Sequence, residues 1–258
     1  MITVNNLSKH FGGIKAVDGV DLHIDRGSIT GLVGPNGAGK TTMFNLIAGL
    51  YQPTEGEIIL DGEDVTELTS HQLFHKGLLR TFQIAHEFPT LSVLENLMMV
   101  PANQLGEILM NTWLKRRQIQ EEEKLLQEKA EEVIDFLSIS HLKNERAGNL
   151  SGGQKKLLEL ARTMMVDAKV VLLDEVGAGV NRTLLKQIGD AILRLNSERG
   201  YTFCMIEHDM DFISRLCNPV VVLAEGQILT TGTPDEIKSS DAVIEAYLGK
   251  GIKTEVAT

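Results

Sequence analysis

Polar and apolar residues alternate through VDLHI at 20–24, the period-two pattern of a half-buried antiparallel strand. An apolar run at 29–33 enters Gly34 as a buried central strand would. EIIL at 57–60 gives another strand, closed by the turn pair Asp61-Gly62. One helical pattern, MFNLIAGL, follows shortly after Lys40. The character changes at Ser92, which stands in capping-box spacing with Glu95, and the sequence reads as helical from there to Leu137. Within that stretch Ile119, Leu126, Ala130, Val133, Ile134 and Leu137 share one helical stripe. EEEK at 121–124 reads as a solvated face with local ion pairs.

After Arg162 strands and helices alternate. The pattern predicts a buried strand at 170–173, an amphipathic helix at 182–197, a strand at 202–206, a short helix at 209–216 and a strand at 220–223. Such alternation predicts a parallel sheet with right-handed crossovers. The expected organisation is an α/β core at 1–83 and 164–249 that includes an antiparallel β subdomain, a helical subdomain inserted at 84–163, and a tail at 250–258.

Composition narrows the function classes. The 258 residues are 43% hydrophobic and 23% charged, ordinary for a globular chain, with a formal net charge of -10. That sign repels nucleic acid, and the largest basic run, Lys115-Arg116-Arg117, reads as a solvated helix face. MITVNNLSKHF has no apolar segment of the signal-peptide kind, and no apolar run approaches the roughly 20 residues that cross a bilayer. Cys204 and Cys217 lack metal or redox spacing and are expected as buried thiols. A cytosolic chain, or one on the cytosolic face of a membrane, is the expectation.

The chemistry concentrates in a few short motifs. GPNGAGKTT at 34–42 fits the phosphate-loop pattern in its required context, after a buried strand and before a helix. Its glycines let backbone N–H groups turn toward one centre, and the helix adds its positive end. Gly34, Pro35, Asn36, Gly37, Ala38, Gly39, Lys40, Thr41 and Thr42 are therefore expected to hold nucleotide phosphates. Lys40 should reach the outer phosphates, and the Thr41 hydroxyl should ligate Mg²⁺. VVLLDE at 170–175 delivers Asp174 to a strand's carboxyl end, to hold Mg²⁺ through water, and sets Glu175 to polarise an attacking water. By position, Gln83 is a candidate for contact with Mg²⁺ or water, and His208 for the γ-phosphate. Phe11 is either a stacking platform for adenine or a core residue. A second glycine-rich helix start, LSGGQ, places Ser151, Gly152, Gly153 and Gln154 in capping-box spacing. Consecutive glycines weaken a first helical turn, so exposed N–H groups and a hydroxyl there suit a phosphate arriving from outside.

In this order GPNGAGKTT, Gln83, LSGGQ, VVLLDE and IEHD resemble the ATP-binding cassette of ABC transporters, over residues 2–248. The resemblance implies a P-loop ATPase core with an antiparallel β subdomain and an inserted helical signature subdomain, using ATP and Mg²⁺. It implies catalytic roles for Glu175, His208, Lys40 and Gln83. It also implies two cassettes packed head to tail, a copy or a paralogue, with Ser151, Gly152, Gly153 and Gln154 closing over the partner's ATP. The loop at 176–181 carries Val176 where the family usually has proline and Asn181 where it usually has aspartate.

FGGIKAVDGVDL, GLVGPNGAGKTTMFNLIAGLYQPTEGEI, LLRTFQ, LSVLENL and VIEAYLG look like the branched-chain amino acid uptake branch. That implies transmembrane permease subunits, reached on the cytoplasmic face of the membrane, and indirectly a periplasmic or extracellular substrate-binding protein. Residues 82–97 are where such a cassette receives the permease's coupling helix, with Phe88, Leu91, Leu94 and Leu97 as groove or core. Related systems for urea, short amides or lipopolysaccharide export are alternatives. Non-transport cassette ATPases of translation or DNA repair are disfavoured by the single cassette, short insert and acidity. Glu175 argues against a binder without turnover.

Overall fold

The structure is a computed structural model that describes residues 1–81, 87–102, 104–166 and 168–248. β1 (Ile2–Phe11) and β2 (Ile14–Ile24) form an antiparallel hairpin. β3 (Ile29–Val33), buried throughout, leads through the phosphate loop into α1 (Lys40–Ile47). β4 (Glu55–Leu60) and the two-residue β5 (Glu63–Asp64) extend the hairpin into a four-stranded antiparallel sheet, ordered β2-β1-β4-β5. β1 was not legible as a strand, and its register with β2 explains why. Irregularities after Val4, Leu7 and Lys9 break the period-two pattern.

After α2 (Ser70–His75) and β6 (Leu78–Arg80) the helical insert begins. The helical run expected from Ser92 to Leu137 is divided into α3 (Val93–Met98), α4 (Leu109–Leu114) and α5 (Arg116–Phe136). Pro101 follows the end of α3, and Lys115, at φ -124 and ψ 28, separates α4 from α5. The predicted stripe of α5 is present: Ala130, Val133, Ile134 and Leu137 are buried, and Ile119 and Leu126 are half-buried. α6 (Gly152–Met164) closes the insert.

The remaining elements are β7 (Val170–Asp174), α7 (Arg182–Arg199), β8 (Thr202–Ile206), α8 (Met210–Leu216), β9 (Val220–Ala224), β10 (Gln227–Gly232), α9 (Pro234–Lys238) and α10 (Asp241–Leu248). They complete a six-stranded sheet ordered β10-β9-β3-β8-β7-β6, parallel except for β10. One apolar core joins both sheets around α1. Met43, Phe44 and Ile47 pack with Ile2, Leu7, Ile24 and Ile58 of the antiparallel sheet and with Leu32, Leu172 and Ile206 of the parallel one. Both cysteines are buried free thiols, and burial pushes Cys204 up to about 12, which leaves it inert at neutral pH.

The chain divides into two compact units. One comprises Met1–Arg80, Lys169–Gly177 and the chain from Ile192 onward; the other comprises Thr81–Ala168 and Ala178–Ala191. The second unit therefore includes the first half of α7, which its amphipathic pattern alone could not separate from the α/β core. Among the described residues, no helix is long and apolar enough to cross a membrane.

Candidate nucleotide site

The phosphate loop owes its shape to two glycines that cannot be replaced. Gly34 has φ 148, and a Cβ there would lie 2.0 Å from the Leu223 carbonyl oxygen. Gly39 has φ 102, and its Cβ would lie 2.3 Å from the Ala16 carbonyl oxygen. α1 starts directly after Gly39 with no side-chain cap and no acidic residue in its first turn. Its leading N–H groups and positive dipole end thus remain available to an anion. Pro35 and Gly39 are half-buried, Asn36, Gly37 and Thr41 exposed, Ala38 buried and Thr42 half-buried. Lys40 is buried, and its ammonium donates to the carbonyls of Gly34 (2.7 Å) and Pro35 (3.0 Å). Burial lowers its pKa, while the charges of Glu175 and Asp174 act the other way.

Those carboxylates stand at the carboxyl end of β7, and Glu207 and His208 follow the neighbouring β8, at the edge where open parallel sheets bind ligands. Asp174 is buried and ion-paired with Arg80, Nη2 to Oδ2 at 2.7 Å. Arg80 was missed by sequence reasoning. Its other terminal nitrogen donates to Asn45 Oδ1, and its guanidinium lies 5.9 Å from the Phe44 ring. Glu175 has φ 48 and receives His208, Nε2 to Oε1 at 3.0 Å. Glu207, also missed, is a buried carboxylate: Oε1 accepts from the Gly177 amide at 2.7 Å and Oε2 from the His208 amide at 3.3 Å. Burial raises its pKa, the two amides oppose the rise, and the nearby Glu175 charge adds to it. The exposed Tyr247 of α10 hydrogen-bonds the Gly34 backbone. The contacts of Arg80 with Asp174, Glu207 with Gly177 and Tyr247 with Gly34 have no local sequence signal, because each joins residues far apart in the chain. Gln83 lies outside the described residues.

Phe11 is not a core residue. It is largely exposed, meets Tyr51 edge-on at 5.6 Å, and has the Lys9 ammonium 5.3 Å from its ring centre. Of the four groove candidates, Leu97 is fully buried and belongs to the core, Leu91 and Leu94 are half-buried, and only Phe88 is exposed.

In the second unit, Ser151 caps α6 reciprocally. Its Oγ accepts from the Gln154 amide at 3.4 Å, and Gln154 Oε1 accepts from the Ser151 amide at 2.8 Å. The two signature glycines differ. A Cβ on Gly152 would meet only the Gly179 carbonyl, at 4.0 Å. One on Gly153 would fall 2.1 Å from Leu184 Cδ2 and 2.9 Å from Val180 Cγ1. Packing against α7 therefore requires a glycine at 153 independently of any ligand. Asn181 caps α7, its Oδ1 accepting from the Leu184 amide at 2.9 Å, which an aspartate would do equally well.

Comparison with known proteins agrees with this geometry. A family profile for ABC transporters matches residues 17–178, and one for the branched-chain amino acid ATP-binding cassette transporter matches 227–253. The chain is 39% identical over 249 residues to the probable branched-chain amino acid transport ATP-binding protein LivG of Archaeoglobus fulgidus, covering 96% of this chain and 95% of that one. It is 36% identical over 250 residues to the high-affinity branched-chain amino acid transport ATP-binding protein BraF of Pseudomonas aeruginosa, covering 97% and 98%. Among solved structures, a nucleotide-free ATP-binding cassette from an ABC transporter superposes with TM-score 0.83 at 36% identity, covering 97% of this chain and 99% of that one. The ADP conformation of MJ1267, another such cassette, gives TM-score 0.82 at 35% identity, covering 97% and 99%. The chain belongs to the ABC transporter family, as an ATP-binding cassette ATPase of its branched-chain amino acid branch.

Three outcomes test the site's construction. Gly39→Ala should introduce about 1–3 kcal/mol of backbone strain and lower the urea midpoint; an unchanged midpoint would clear the Ala16 carbonyl of any role. Arg80→Ala leaves a buried carboxylate unpaired and should cost about 3–5 kcal/mol in urea unfolding, part of which adding Asp174→Asn recovers. For Glu207, a folded pKa held above the ordinary 4.5 means that stability falls as pH climbs from that value through the raised one. Glu207→Gln removes this titration, so the variant's Tm should gain on the native chain's between pH 4.5 and neutrality. Parallel Tm curves would exclude a burial cost at Glu207.

Proposed function

We propose that this chain is the ATP-hydrolysing subunit of an importer for branched-chain or other hydrophobic amino acids. It works on the cytoplasmic face of the membrane with a second cassette, permease subunits and, indirectly, an external substrate-binding protein. The observation that carries the reading is the meeting of one uncapped helix start with Lys40, Asp174, Glu175 and His208 at a single sheet edge. The names of LivG and BraF support the cargo class, as does the profile match at 227–253.

In this reading the loop from Gly34 to Thr42 cradles the phosphates of ATP, and Lys40 exchanges its carbonyl partners for the outer phosphates. Glu175 orients the attacking water, and His208 hydrogen-bonds the γ-phosphate while holding the Glu175 carboxylate in place. Gln83 reports γ-phosphate occupancy to the helical insert, and the exposed Phe11 stacks on adenine. The site suits Mg²⁺ by its donors. Asp174 engages Arg80 through one oxygen only, Thr41 offers an exposed hydroxyl, and the described residues hold no cluster of three or more His, Cys, Asp or Glu that would cage a metal alone. This is the pattern for a cation held by few protein ligands and by substrate phosphates. Bound there, Mg²⁺ would neutralise phosphate charge. Ser151 and the open amide of Gly152 close over the partner's nucleotide, and the reciprocal cap of α6 keeps that helix start formed until they do.

Three variants separate the parts. Lys40→Ala should weaken MgATP binding by about 10–100-fold, the worth of a charged hydrogen bond; unchanged affinity overturns the assigned site. Glu175→Gln should bind ATP, run as a dimer on size exclusion and hydrolyse about 10²–10⁴-fold more slowly; native turnover removes Glu175 from catalysis. Ser151→Arg should be as inactive as Lys40→Ala, and a mixture of the two should regain at most one working site per dimer. If Ser151→Arg alone hydrolyses ATP at the native rate, the shared site is refuted.

A further inference from the structure

α4 presents an apolar face to solvent. Trp113 is 91% exposed, Leu109 85%, Leu114 76% and Met110 71%. At 100° per residue these four side chains fall within an arc of about 140°, so they form one face. Asn111, about 60° beyond that arc, is half-buried, and its amide donates to the Leu105 carbonyl at 3.1 Å. The turn before the helix is fixed as well, the Leu105 amide donating to Glu122 Oε2 at 2.8 Å. The helix is therefore held by its Asn111 side with its apolar side outward, an arrangement that burial in the chain's own core does not explain.

Immediately after this face come Lys115, Arg116 and Arg117, all exposed, in a chain whose formal net charge is -10. Arg117 meets Glu121 on the open surface of α5 at 3.3 Å. The other nearby charges are Glu107 before the helix and Glu122 and Glu123 farther along α5. Sequence alone makes the basic tripeptide a solvated face; the structure sets it beside an exposed tryptophan and three exposed aliphatic side chains. Tryptophan and aliphatic residues flanked by cations are the composition that settles in the headgroup layer of a membrane, the rings at the interface and the cations on anionic lipid.

We propose that α4 and the start of α5 form a lipid-binding element that inserts shallowly into an anionic membrane surface. Such an element would hold the cassette at the bilayer independently of its protein partners. It shares no residue with the nucleotide site, so its loss should leave ATP hydrolysis in solution unchanged.

Trp113 is the chain's single tryptophan, so its emission reads insertion directly. With vesicles of phosphatidylcholine and phosphatidylglycerol at low salt, the full chain should co-sediment and its emission should shift to the blue. Vesicles of phosphatidylcholine alone should give little of either, and added salt should reverse both. Reversing all three cations (K115E, R116E and R117E together) should weaken binding on the order of 100-fold, each contributing roughly a factor of five. Leu109→Asn with Leu114→Asn should abolish the blue shift with circular dichroism and basal ATPase unaltered. The proposal is overturned by no shift on anionic vesicles, or by equal binding to neutral ones. It is also overturned by a shift that grows with protein concentration without lipid, which makes a second copy the occupant. A shift seen only when permease subunits are reconstituted in the vesicles overturns it in favour of a protein surface.

Discussion

Two carbonyl oxygens, those of Ala16 and Leu223, occupy the places where Gly39 and Gly34 would otherwise carry side chains. One belongs to β2 of the antiparallel sheet and the other to β9 of the parallel one, so the phosphate loop is walled by both sheets at once. The loop can pass between them only as bare backbone, and this forces α1 to begin without a capping side chain. The rest of the site is arranged around that uncapped start. Lys40 points back across the loop, and Asp174 and Glu175 arrive opposite it on β7. The single core that packs α1 against both sheets keeps the two walls in register.

Charge at this edge is balanced by pairs of unlike sign. Arg80 answers Asp174 and Lys40 faces both Asp174 and Glu175, while His208 hydrogen-bonds Glu175. Glu207 is the exception, a buried carboxylate satisfied by two backbone amides instead of a cation. Its hold on the Gly177 amide ties the end of β8 to the loop that follows Glu175. The positions of His208 and of that loop therefore depend on one side chain. Arg80 has a similar reach, since it holds Asp174 and Asn45 of α1 together.

The sequence made the motifs legible because each is local. A strand, a glycine turn and a helix start lie within fourteen residues at 29–42, and an apolar strand ends in two carboxylates at 170–175. Contacts between distant residues left no such trace, and Arg80, Glu207 and Tyr247 went unread for that reason. β1 hid behind its register irregularities, and the helical stretch from Ser92 hid its breaks behind a composition helical in all its parts. Leu97 and Phe88 show the same limit. Both are apolar residues near one helix, yet one is fully buried and the other exposed, a difference that only packing decides.

Gly153 carries a consequence for how this sequence can drift. The space a side chain would need at that position is filled by Leu184 and Val180, so residues some thirty positions apart restrict each other's size. A methyl group at 153 becomes tolerable only after α7 has given up volume, and a smaller residue at 184 leaves a void unless 153 grows to fill it. The spelling of the signature pentapeptide is thus set in part by a leucine that no motif contains, and the two positions can change only together.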